Sequence, residues 1–116
     1  AIVGAFERTG LVDDHRFAES LVRSLLARGY GARRIERELA RAGVEEALIA
    51  EVLDQAATPD IERERALEMA ERMVRSAPDV RKLAGRLARK GFGADTSFWA
   101  ARQALAAFVR DPGADD

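Results

Sequence analysis

Cysteine is absent from these 116 residues, and histidine, tryptophan and tyrosine occur once each. The missing thiols exclude disulfides, thiolate nucleophiles and cysteine-based metal sites. A serine triad would have to use the single His15, and no nucleophile-elbow motif accompanies it. Phosphate loops and dinucleotide fingerprints are also missing. No apolar run is long enough to span a bilayer, and the opening "AIVGAFERTG" lacks the basic start and long apolar stretch of a signal peptide. Net charge is only −1, so attraction to nucleic acid would need a local patch rather than overall charge. These absences point to a cytoplasmic, non-enzymatic protein without metal or cofactor. The chain starts at Ala1 in mid-pattern, which suggests that further sequence precedes it.

What is abundant is helix-forming sequence. Apolar residues make up 47% and charged residues 34%, with little β-branched or aromatic content. The expected fold class is all-α: tandem three-helix repeats forming an elongated, curved body. Residues 1–10 read as the remnant of the last helix of a preceding module, with Ile2, Val3 and Phe6 on one face and Gly10 as its stop. Asp13 is then a helix N-cap, with Val12 and Phe17 as its hydrophobic staple. Phe17, Leu21, Val22, Leu25 and Leu26 supply the buried stripe. A break at Gly29–Gly31 is followed by a helix over 32–42 burying Ile35 and Leu39. Gly43 and Val44 form its stop, and a third helix carries Leu48, Ile49, Val52 and Leu53.

The cycle then restarts. Thr58 and Pro59 read as N-cap and first helical residue, ahead of a stripe of Ile61, Leu67, Ala70, Met73 and Val74. A helix over 79–90 buries Val80, Leu83 and Leu87 and stops at Gly91. The last helix, from Asp95 or Ser97 to Val109, is expected to bury Phe98, Ala101, Leu105 and Phe108, with Trp99 either at a repeat junction or partly exposed. The expected modules are therefore 11–56 and 57–110, followed by an acidic tail over 111–116.

Within this pattern one stretch occurs twice. "RRIERELARAGV" occupies Arg33–Val44, and "RKLAGRLARKGF" follows 48 positions later at Arg81–Phe92. Leu25–Val44 holds five arginines against two glutamates, net +3. Glu45–Arg72 has nine acids and three arginines, net −6. Arg75–Phe92 has six basic residues and one aspartate, net +5. Helical spacing puts Arg34, Arg37 and Arg41 on one face, and Lys82, Arg86, Arg89 and Lys90 on another. If the repeats stack, these faces form an interrupted basic stripe. The candidate partner-binding residues are Arg28, Tyr30, Arg33, Arg34, Arg37, Arg41, Arg81, Lys82, Arg86, Arg89 and Lys90. Tyr30, in a glycine turn among arginines, suits base stacking or a protein anchor, or equally covers the local core. The competing reading of the stripe is a solvated face paired to Glu36 and Glu38. The carboxylates of 45–71 read as solvated. Asp13, Asp14 and His15 read as helix capping rather than a metal site, because neighbours on a helix diverge. "ELARAGVEEALIAEVL" fails as a DNA-reading helix-turn-helix, since its second helix is acidic where a groove needs basic residues.

Three stretches resemble the RecX family of bacterial regulators of the RecA recombinase. They are "LVDD-x-RFA" at Leu11–Ala18, "RGYG-x-RRI" at Arg28–Ile35, and the L-x3-G-V turn from Leu39 to Val44. "LARKGF" resembles that family's third module, while "GADTSFWAARQAL" departs from it. The resemblance covers the last two of three modules. It implies a helical-repeat protein that binds in the groove of the RecA–single-stranded DNA filament and inhibits ATP hydrolysis, strand exchange and co-protease activity, in recombination, DNA repair and the SOS response. The expected partner is that filament, with single-stranded DNA as a possible contact, no membrane, and a monomeric chain. A nucleic-acid-binding helical module without RecA, or a structural adaptor, are the alternatives.

Overall fold

The computed structural model describes residues 3–110, with side chains from Asp14 onward. Those residues form six helices: α1 Val3–Ala27, α2 Ala32–Arg41, α3 Glu46–Ala56, α4 Pro59–Met73, α5 Val80–Lys90 and α6 Ala94–Arg110. There is no strand among them. The body measures 61 × 24 × 21 Å, with a radius of gyration of 17.4 Å. A compact domain of this length would have about 13 Å, so the chain is elongated, in keeping with its high charged fraction.

The core falls into two clusters. Ala18, Val22, Leu25, Ile35, Leu39, Ile49 and Val52 join α1, α2 and α3. The second joins α4, α5 and α6, with Leu83, Leu87 and Phe92 as its largest members. The local stop signals act as their chemistry dictates. Gly43 and Gly91 are left-handed, with φ of +90° and +109°. Behind them the Val44 N–H donates to the Leu39 carbonyl at 3.0 Å, and the Phe92 N–H to Leu87 at 3.2 Å. Both are Schellman closures, in which the apolar residue after glycine folds back on the last turn. The recurring "G-V" and "G-F" endings are thus the same physical device used twice. Thr58 caps α4 through the Ile61 N–H, and Asp79 caps α5 through the Lys82 N–H.

Three expectations are corrected. First, α1 runs unbroken through Gly10 and Asp13, so no helix begins at Asp13 for it to cap, and the staple expected of Val12 lies outside the described side chains. A glycine inside a helix costs only about 1 kcal/mol relative to alanine, too little to stop a helix propagating through both flanks. The buried register is Ala18, Val22 and Leu25, and Phe17 is 48% exposed. The face formed by Ile2 and Phe6 lies outside the described side chains. Second, α6 begins at Ala94 and buries Ser97, Ala100, Ala101 and Ala104. Small residues win that face because α6 packs closely on both α4 and α5. Phe98 is displaced outward to 40% exposure, and Leu105, Phe108 and Trp99 pack at the margin. Third, α4 buries Ala66 and Ala70, leaving Ile61 exposed, and Val80 is half-buried.

Candidate functional site

The two copies of the basic motif meet end to end. The Gly31 N–H, at the start of α2, donates to the Lys90 carbonyl at the end of α5, at 2.8 Å. The Arg33 N–H donates to the Gly91 carbonyl at 3.0 Å. Free N–H groups of one helix thereby satisfy free carbonyls of the other, and the two helix dipoles meet positive end to negative end. The approach is close enough to need two glycines. A Cβ on Gly31 would lie 2.5 Å from the Gly91 carbonyl carbon and the Phe92 nitrogen.

Tyr30 sits on one side of this joint, and three cations converge on it. Arg28, Arg34 and Lys90 lie 5.2, 4.5 and 5.1 Å from its ring centroid. The Arg28 Nη2 also donates to the Tyr30 hydroxyl at 3.4 Å. Lys90 comes from one motif copy and Arg34 from the other, so both basic faces reach the same side of the joint. From Lys90, four-residue steps lead back along α5 to Arg86 and Lys82, with Arg89 alongside. From Arg34, the same face of α2 leads on to Arg37 and Arg41. The helices hold 11 and 10 residues, about 30 Å of axial length in all.

Pairing along this surface is uneven. Glu38 takes both Arg34, at 3.1 Å, and Arg41, at 3.7 Å. Arg86 donates to Ser76 Oγ at 2.9 Å. Among the described residues, Arg37, Arg81, Lys82 and Arg89 pair with no carboxylate, and all four are exposed. Arg33 departs from its neighbours. Its side chain turns toward Gly93 and lines a separate groove of about 430 Å³ with Arg63, Pro59, Asp60 and Thr96. It does not join Arg34 at Tyr30.

Sequence reasoning missed the residues that hold the joint together. On α4, Glu62 Oε2 accepts from the Ala32 N–H at 2.8 Å, capping α2 from a distant helix. Its Oε1 holds Arg65 Nη1 at 2.6 Å, with side-chain exposures of only 14% and 17%. Arg65 Nη2 in turn donates to the Tyr30 carbonyl and, at 3.5 Å, to the Leu26 carbonyl. Glu62 is therefore not one of the solvated carboxylates of the acidic segment. Nothing in the local pattern distinguished it from Glu64 or Glu68, because the partner that sets it apart, the Ala32 N–H, lies 30 residues away.

His15 pairs rather than ligates. Its Nε2 lies 2.8 Å from Glu51 Oε2 on α3, and its Nδ1 3.5 Å from Glu19. The Glu51 hydrogen bond raises the imidazole above its ordinary value, and Glu19 adds to it. Among the described residues, no three His, Cys, Asp or Glu side chains gather as a metal site, and no helix is long and apolar enough to cross a membrane.

Comparison with known proteins agrees with this architecture. Residues 13–53, which span the latter half of α1, α2 and most of α3, match the RecX second three-helix domain. The "Regulatory protein RecX" of Streptomyces coelicolor is 37% identical over 111 residues, covering 90% of this chain and 58% of that protein. The protein of the same name from Halorhodospira halophila is 39% identical over 98 residues, covering 81% and 60%. That of Corynebacterium efficiens is 34% identical over 116 residues, covering 90% and 55%. Over most of its length the chain is similar to RecX proteins. It spans about three fifths of the length of these RecX relatives, and no solved structure matches it. The matched RecX domain contains Arg28, Tyr30, Arg34, Arg37 and Arg41, the first-module half of the joint; Lys82, Arg86, Arg89 and Lys90 lie beyond it.

Proposed function

We propose that this RecX-like chain is a non-enzymatic regulator that binds the RecA–single-stranded DNA filament and inhibits its ATPase, strand-exchange and co-protease activities. Two modules, 11–56 and 57–110, act as one binding unit in a monomer, in the cytoplasm. The single observation that carries this reading is the convergence of Arg28, Arg34 and Lys90 on Tyr30, which unites two basic helices into one track. A filament offers phosphate and protein at a repeating spacing, and a rigid basic track can meet several positions at once. The contacts assigned to the track are Arg28, Tyr30, Arg34, Arg37, Arg41, Lys82, Arg86, Arg89 and Lys90, with Arg81 and Arg33 flanking it. The name of the curated relatives, a regulatory protein, supports regulation over catalysis.

The test is the ATP hydrolysis rate of a RecA filament on single-stranded DNA, with and without the purified chain. The expected result is a dose-dependent fall. An unchanged rate, with the chain shown to be folded, refutes the proposal. Binding to bare single-stranded DNA as tight as to the filament would instead favour a general nucleic-acid module, and the salt dependence of both affinities separates the two.

A further inference from the structure

The joint between the motif copies is held by groups that contribute nothing to the basic surface itself. Glu62 and Arg65 project from α4, which belongs to the second core cluster, onto the turn at 26–32, which belongs to the first. Their bonds fix the start of α2 against α4, while Gly31 and Gly91 let the ends of α2 and α5 touch. A hydrophobic contact alone would allow the clusters to slide. Directional bonds to the Ala32 N–H and to the Tyr30 and Leu26 carbonyls do not.

We infer that Glu62, Arg65 and the Gly31–Gly91 contact are positioning residues, which lock the two basic helices into one rigid surface that engages a phosphate backbone from both modules at once. This inference rests on the basic-track reading above. A partner bound by both helices at fixed spacing gains the effective-concentration advantage of a linked pair, and that gain disappears when the spacing is lost. The lock therefore governs affinity without touching the ligand.

Gly31→Ala isolates the effect. Gly31 has φ −84° and ψ 169°, a conformation any residue adopts. The atoms nearest the added methyl are the Gly91 and Phe92 backbone, so it wedges the joint and removes no charge. Glu62→Ala is the second, independent route to the same opening. Gly85→Ala is the control, because its Cβ would meet only Arg89 Nη1, at 3.9 Å. The chain has no cysteine, so Ala40→Cys on α2 and Ala106→Cys on α6 give two unique spin-label sites. Dipolar spectroscopy then reads the spacing between the clusters, and circular dichroism confirms the helices.

The wild-type chain and G85A should give one narrow distance distribution. G31A and E62A should broaden or shift it, and weaken binding to the RecA–single-stranded DNA filament roughly tenfold to a hundredfold, with a shallower salt dependence. Unchanged distances in both variants overturn the lock. Altered distances with unchanged affinity and salt slope overturn its role in binding. If the wild-type chain does not bind the filament at all, the functional reading fails together with that role, and the distances still decide whether these residues set the geometry.

Discussion

Glu62→Ala should destabilise the chain by about 2–3 kcal/mol, far more than a surface helix pair predicts. An exposed pair three or four residues apart contributes about 0.3–0.5 kcal/mol, whereas breaking a fully buried pair costs about 3–5 kcal/mol. Glu62 and Arg65 lie between these limits, at 14% and 17% side-chain exposure. The substitution removes two charge-assisted bonds, to the Ala32 N–H and to Arg65, each of a kind contributing about 1.5–3 kcal/mol. The loss is reduced because Arg65 keeps the Tyr30 and Leu26 carbonyls, and because the Ala32 N–H can reach water in part. Glu62→Gln retains an acceptor oxygen for that N–H and should cost about half as much. A double-mutant cycle with Arg65→Met should give a coupling of at least about 1 kcal/mol. The assay is urea unfolding, followed by far-UV circular dichroism and by the fluorescence of Trp99, the sole tryptophan. Trp99 packs on the second core cluster, so coincident transitions also report whether both clusters unfold together. A loss within ±0.5 kcal/mol, or zero coupling, refutes the reasoning.

Reversing Arg37, Arg41, Lys82 and Arg89 to glutamate should leave stability within about 0.5 kcal/mol per exposed site, yet weaken filament binding. The log–log salt slope should fall by roughly 0.7 per lost single-strand phosphate contact, as read by fluorescence anisotropy from low to moderate salt. Charge reversal at Glu64 and Glu68 is the matching control, and Glu62 is unsuitable because it caps α2. Leu39→Ala and Leu87→Ala occupy equivalent, fully buried positions in the two copies and should each cost about 2–5 kcal/mol in denaturant unfolding. His15 has its imidazole raised by Glu51 and Glu19. Its pairing should support the fold fully below the ordinary histidine value of about 6.5 and lose that support as pH rises through the elevated value. His15→Gln should flatten the stability profile across that window, and an unchanged profile would remove His15 as its source.

The helices, most of their stops and the doubled basic motif were determined by the sequence alone. Capping and Schellman closure act within four or five residues, so Thr58, Asp79, Gly43 and Gly91 announce them locally. The alternation of charge along the chain is equally local, and with it the basic surface became legible as a candidate. Tertiary structure decided what depended on distant partners. The small-residue face of α6 was set by which neighbours were present to pack, not by propensity. Which arginines belong together was settled at the joint, where Arg34 and Lys90 share Tyr30 while Arg33 turns away. Glu62 and Arg65 were indistinguishable in sequence from the solvated charges beside them. They are set apart because the second core cluster holds α4 against a turn more than thirty residues earlier in the chain, and burial there makes a bond of what would otherwise be a surface pair.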